Sequence, residues 1–160
     1  MQLVVDKMTE ADLLFLCVLL NEADIMESLH TTRWTYDELL RVYHDIWKND
    51  ADEQHFILHE GSAPVGWMKL NGLASCGKAW ISMLVVSAKE QGKGIGHGAV
   101  NFAESFLRER GFHAIRIHTT QDNIVAASLY RSCGYILSGQ EAYATGDGIQ
   151  RMGYTFEKNL

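Results

Sequence analysis

Residues 2–6 alternate enough between polar and apolar side chains to be a short first strand, before the pattern turns helical. Thr9 opens a predicted helix over residues 10–20, with Asp12 at its third position as a variant of the capping box. Asn21 to Arg33 is less regular. A second helix begins at Thr35 with Asp37 and Glu38 in its first turn. It sets Leu39, Leu40, Tyr43, Ile46 and Trp47 at helical spacing.

From His55 the rhythm is that of strands. Phe56-Ile57-Leu58 reads as one, Gly61-Ser62-Ala63-Pro64 as a turn, and Val65 to Leu70 as the hairpin partner. After a loop around Gly72 to Gly77, another strand runs from Ala79 to Val86. Apolar residues then recur at helical spacing from Ile95 through Ala99, Phe102, Ala103, Phe106 and Leu107, and Gly111 stops that helix. Ala114 to Thr119 is a strand, Asn123 to Ser132 a helix, Gly134 to Ser138 a strand, and residues 149–157 a last strand. The order β-α-α-β-β-β-α-β-α-β-β predicts a mixed α/β sheet, not a repeated βαβ winding.

Composition narrows the class of partner. The 160 residues suit a single domain of 1–160, and no repeat or linker-like run divides them. A net charge of −6 argues against nonspecific binding to nucleic acid or an anionic membrane, so neither is expected as a partner. The run Leu13 to Leu20 is too short to span a bilayer, and the acids before it are not a signal-peptide flank. Cys17, Cys76 and Cys133 are odd in number and widely spaced. They suggest neither a disulfide framework nor a zinc site, and fit a reducing, cytoplasmic location. His44, His55, His59 and His113 lack ligand spacing, and no metal is expected.

The candidate chemistry starts at Gln91-Gly92-Lys93-Gly94-Ile95-Gly96, between a strand and a helix. Glycines there let backbone N–H groups approach a pyrophosphate, and the helix start adds partial positive charge. Lys93 and His97 are further donors, and a ligand-free surface turn is the plainer reading. A P-loop needs Ser or Thr after its Gly-Lys, and Lys93 is followed by Gly94. Gly94 to Ala99 does fit the loose dinucleotide fingerprint, which keeps an NAD(P)-dependent oxidoreductase as a distant alternative. Against it, the motif lies mid-chain and no ribose-binding acid follows near His118 and Thr119.

Leu84-Val85-Val86 followed by Gln91 to Gly96 resembles the Q/R-x-x-G-x-G/A motif of the GCN5-related N-acetyltransferases, the GNAT family. The segment Asn123 to Tyr130, closing with Cys133-Gly134-Tyr135, is similar to that family's second signature. Together they cover residues 79–136. The resemblance implies an α/β (α+β) fold with a mostly antiparallel sheet of about six to seven strands, flanked by about four helices. It also implies a central parallel pair, Ile81–Val86 and Ala114–Thr119, splayed into a V. Acetyl-CoA would be the donor, with Leu84, Val85 and Val86 pairing with the pantetheine arm and Gly92 to His97 holding the pyrophosphate.

Asn123 and Tyr130 lie two helical turns apart on one face, with the small Ala126 and Ala127 between them. Taken alone they read as an N-cap and a half-buried packing residue. The resemblance implies that Tyr130 protonates the departing thiolate and that Asn123 orders the pantetheine arm. Some members place a glutamate base near the end of the preceding strand, and that position here is His118. Histidine titrates near neutrality and could take the amine proton directly or through water. It could equally be a partly buried residue bonded to a neighbour. The acceptor would be a small-molecule or peptide amine, attacked directly in a ternary complex. Glu22, Asp24, Glu27, His30, Trp34 and Tyr36 are candidates for its wall. A coenzyme A-binding module without turnover is the alternative function. A homodimer would form through the last strands or the sheet edge.

Overall fold

The computed structural model describes residues 2–75 and 77–160, so the reading of the three cysteines extends only to Cys17 and Cys133, both free thiols. Cys76 lies outside the described residues. Seven strands form one sheet in the order β1-β2-β3-β4-β5-β7-β6. They are β1 (Leu3–Lys7), β2 (Gln54–Glu60), β3 (Ala63–Asn71), β4 (Lys78–Val86), β5 (Ala114–Thr120), β6 (Ile136–Ala144) and β7 (Gln150–Asn159). Every neighbouring pair is antiparallel except β4 and β5.

Side chains alternate across this sheet and feed two cores. Phe56, Leu58, Met68 and Ile117 pack with Ile95, Ala99 and Leu107 of α4 (Ile95–Glu109) and Ala127 of α5 (Ile124–Ser132). On the opposite face, Ile57, Trp67 and Val85 pack with Leu13, Leu16 and Leu19 of α1 (Leu13–Leu20) and Leu39 of α3 (Tyr36–Asp45). α1 has eight residues, too few to hold a helix alone. Burial of three leucines at 0% exposure, worth about 2 kcal/mol each, is what keeps it folded.

Among the described residues five helices form, against the expectation of about four. The predicted helix over 10–20 begins as a 3-10 turn at Glu10–Asp12, where the Thr9 N–H donates to Asp12 Oδ2 at 2.8 Å. The less regular stretch after Asn21 contains α2 (Ala23–Leu29). It ends at His30 with φ 53°, a left-handed position that glycine or asparagine more often fills. Trp47 falls outside α3, in a separate 3-10 turn. Ala63 and Pro64 already belong to β3, which leaves a two-residue hairpin at Gly61-Ser62. β6 reaches Ala144, well beyond Ser138, because its register with β7 shifts between Leu137 and Gly139 and then continues. Among the described residues no helix is long and apolar enough to cross a membrane.

Candidate active site

β4 and β5 are joined only where Lys78–Ile81 faces Ala114–Ile117. β4 stays paired with β3, but its register skips Ser82: Lys69 faces Met83 while Leu70 faces Ile81. This bulge resets the alternation. Ile81 and Leu84 both join the α4–α5 core, and Met83 and Val85 join the opposite one. β5 meanwhile remains paired with β7 to Thr120. The sheet therefore opens between Ser82–Val86 and the end of β5, leaving a strand edge free to take the amides of an extended ligand.

A cavity of about 620 Å³ fills this opening, lined by Leu84, Val85 and Val86, the glycine turn, and the α5 residues Ala126 and Tyr130. Gly92 and Gly94 have φ of 78° and 85°, which aim the backbone in a way that a side chain would oppose. Gly94 is the N-cap of α4, and no side chain caps that helix. By contrast, Thr35 caps α3 and Asn123 caps α5. The first amides of the fifteen-residue α4 thus stand beside the cavity with the helix's partial positive charge. A Cβ on Gly96 would come within 2.9 Å of Leu129 Cδ2, so glycine lets α4 and α5 close around the site. A pyrophosphate followed by an amide-bearing arm suits these groups.

The other predicted donor-side residues have definite partners. Gln91 Nε2 donates to the Val86 carbonyl at 3.0 Å and braces the turn. Lys93 pairs with Glu90 at 2.6 Å and stands outside the lining. His97 Nε2 is 2.8 Å from Ser132 Oγ and lines the cavity. Asn123 Oδ1 accepts from the Ala126 N–H at 3.1 Å, so its cap function is real, and the residue also lines the cavity.

A second cavity of about 320 Å³ lies between the end of α2, β4, β5 and the β6–β7 hairpin. It meets the first at Ser28, Leu29, Leu84, Asn123, Ala126 and Tyr130, which line both. Tyr130 is 5% exposed, and its burial pushes the hydroxyl well above the usual tyrosine range. The hydroxyl is therefore protonated wherever the protein is folded near neutrality.

His118 lines the second cavity. Its Nδ1 is 3.2 Å from Thr155 Oγ1, and its ring meets Tyr143 edge-on with centroids 4.6 Å apart. Nε2 is enclosed and has no hydrogen-bond partner. A Cβ on Gly153 would lie 2.7 Å from that nitrogen and 2.3 Å from Tyr143 Cε1, so both rings rest on a bare backbone. Desolvation depresses the His118 pKa below the ordinary histidine value, partly offset by Glu141, and keeps the ring neutral at neutral pH.

The predicted acceptor wall is largely engaged elsewhere. Glu22 accepts from Ser87 Oγ at 2.7 Å and from the Ala88 N–H at 2.9 Å, fastening α2 to the end of β4. Trp34 packs into the α1–α3 core, held by Asn21 through its N–H and carbonyl at 2.8 and 2.7 Å. His30 pairs with Asp122 at 2.8 Å. The Thr120 hydroxyl first, and then His30, holds that carboxyl below its usual range. Asp24, Glu27 and Tyr36 are exposed. The walls instead come from Ser28, Thr31, Ser82, Tyr143, Thr145 and Gly146, none of which carries a motif.

Known proteins share this fold. The Vibrio cholerae spermidine N-acetyltransferase, solved in complex with CoA and spermine, superposes with a TM-score of 0.84 at 22% identity, over 99% of this chain and 95% of that one. Spermidine N(1)-acetyltransferase of Vibrio cholerae serotype O1 is 23% identical over 140 residues, 86% of this chain and 81% of its own. Streptothricin acetyltransferase of Escherichia coli is 36% identical over 73 residues, 46% of this chain but only 39% of that enzyme. The acetyltransferase (GNAT) family matches residues 20–135, from the end of α1 past the glycine turn to Tyr135 after α5, and the chain belongs to that family.

Proposed function

We propose that the chain, an acetyl-CoA-dependent N-acyltransferase by family, moves acetyl directly onto a primary amine held in the second cavity. The observation that carries this reading is the junction of the two cavities at Tyr130. Donor and acceptor can meet there without a covalent stage on the protein.

Acetyl-CoA, when bound, supplies the acyl group as an activated thioester. The first amides of α4 hold its pyrophosphate, and the free edge of Leu84–Val86 takes the amides of its arm. Placing both reactants at one junction replaces a bimolecular encounter, an effect that can account for about 7–11 kcal/mol of barrier in favourable cases. As the carbon–nitrogen bond forms and the carbon–sulfur bond breaks, Tyr130 gives its proton to the sulfur. His118 takes the proton from the amine, directly or through water. β4 N–H groups at the opening stabilise the developing oxyanion. The reading treats 1–160 as one acetyltransferase domain acting in the cytoplasm. Spermidine, which names one relative, is likewise an amine.

Thiol release from acetyl-CoA with a panel of primary amines tests the proposal. Amine-dependent release with one acetylated product per thiol is expected. Tight acetyl-CoA binding without transfer to any amine would instead mark a binding module.

A further inference from the structure

The second cavity carries information about the acceptor beyond its being an amine. Among the described residues that line it, none bears a formal charge near neutrality. The nearest carboxylates stand outside the lining: Asp122 pairs with His30 at 2.8 Å, Asp147 pairs with Arg151 at 2.7 Å, and Glu141, whose charge reaches His118, is exposed on β6. A second ammonium held against this lining would exchange hydration for groups without formal negative charge, an arrangement that is disfavoured.

Hydroxyl groups dominate the walls instead. Ser28 Oγ donates to the Asp24 carbonyl at 2.8 Å, Ser82 Oγ is shared between Asn71 Oδ1 and the Lys69 carbonyl, and Thr145 Oγ1 is shared between Asp147 Oδ1 at 2.7 Å and the Ile149 carbonyl at 3.0 Å. Each hydroxyl has one proton, and these three are used within the protein. What remains for a ligand is lone pairs on the walls together with the hydroxyls of Thr31 and Tyr143 as donors, a mixed set that suits ligand hydroxyls, which donate and accept, better than an ammonium, which only donates. At about 320 Å³ the chamber is at the small end of ligand sites, with room for one ring or a short branched chain.

We infer that the acceptor is a compact primary amine bearing hydroxyl groups and no second cationic centre, an amino alcohol or amino sugar rather than a polyamine. The inference rests on the acyl-transfer reading above, because it takes the second cavity as the acceptor's seat. It also separates this chain from its spermidine-named relatives on chemical grounds.

The test compares kcat/KM for serinol and glucosamine with that for putrescine and spermidine, at one pH and saturating acetyl-CoA. The hydroxylated pair should be preferred by roughly tenfold or more, the scale on which a site separates partners it can hydrogen-bond from those it cannot. Equal use, or preference for putrescine or spermidine, overturns the inference while leaving acyl transfer intact. Thr31→Asp and, as a second placement, Ser28→Asp each put a carboxylate into the chamber. At least one folded variant, checked by circular dichroism, should shift the putrescine-to-serinol ratio about tenfold towards putrescine. An unchanged ratio in both shows that the chamber is not the seat and overturns the inference. If neither these four nor any amine of the wider panel is acetylated while acetyl-CoA still raises Tm, the function proposed above fails and takes the inference with it.

Discussion

The Glu22 carboxylate accepts the Ser87 hydroxyl at 2.7 Å, so the arm carrying α2 is tied to the residue that follows the end of β4. Both cavities have walls on this arm, through Leu29 and Ser28. Glu22→Ala leaves the Ser87 hydroxyl and the Ala88 N–H without their acceptor, at a cost of about 1–3 kcal/mol for a group that stays buried. A lower Tm and a raised KM for donor and acceptor together are expected, with Glu22→Gln recovering part of both. An unchanged KM in Glu22→Ala would separate the arm from the site.

Gly94→Ala places a side chain at φ 85°, where an L-residue is disfavoured by about 1–2 kcal/mol. The turn must shift, and the α4 amides shift with it. The KM for acetyl-CoA should rise severalfold with kcat less affected. Equilibrium binding of desulfo-CoA by calorimetry checks this independently of turnover.

Tyr130→Phe keeps the ring in its buried place and removes the proton. Its kcat should fall by about a hundredfold with acetyl-CoA affinity retained. Because burial raises the Tyr130 hydroxyl above the usual range, the wild type should show no alkaline decline from this group up to pH 10. Turnover unchanged in Tyr130→Phe for every accepted amine would remove the acid assignment.

His118 is desolvated, so it must be deprotonated to act and is so above a folded-state pKa lower than the ordinary value near 6.5. The acid limb of kcat/KM assigned to the enzyme should therefore lie below about pH 6.5 and rise with pH. His118→Gln should remove that limb and lower the plateau. If both persist, the amine proton leaves through water instead.

His55 supplies a stability prediction away from the site. Trp67 Nε1 donates to its Nδ1 at 3.2 Å, and Nε2 is 3.1 Å from Glu53 Oε2, which fixes the neutral tautomer with Nδ1 as acceptor. Burial lowers the folded-state pKa of His55. The unfolded chain then binds a proton first as pH falls, so stability is full above about pH 6.5 and declines from there towards the folded pKa. Denaturant midpoints between pH 7 and pH 5 should fall in the wild type. The decline should be smaller in His55→Phe.

Most strands and both long site helices were legible because their period is clean and glycines bound them. Gly92, Gly94 and Gly111 frame α4 as expected. α2 was not legible, since its stop signal is His30 in a conformation that residue seldom adopts. The length of β6 was also hidden: nearly all its positions are exposed, so no alternation marks it. The donor side was readable because the glycine turn and the Asn123–Tyr130 face are each local in sequence. The acceptor chamber was not, because Ser28, Ser82, His118 and Tyr143 come from four separate elements and meet only after folding. Glu22 and Trp34 misled because charge and aromaticity do not reveal whether a side chain is already occupied.

The extra residue at Ser82 has a kinetic meaning. Because the strands part where the register skips, the gap belongs to the ground state of the folded chain and does not await a ligand. Donor association then selects no rare open conformer, and its apparent affinity is not reduced by a fractional population of the competent state. Encounter with acetyl-CoA should follow a single, concentration-proportional phase, without a slow step for prying a sheet apart.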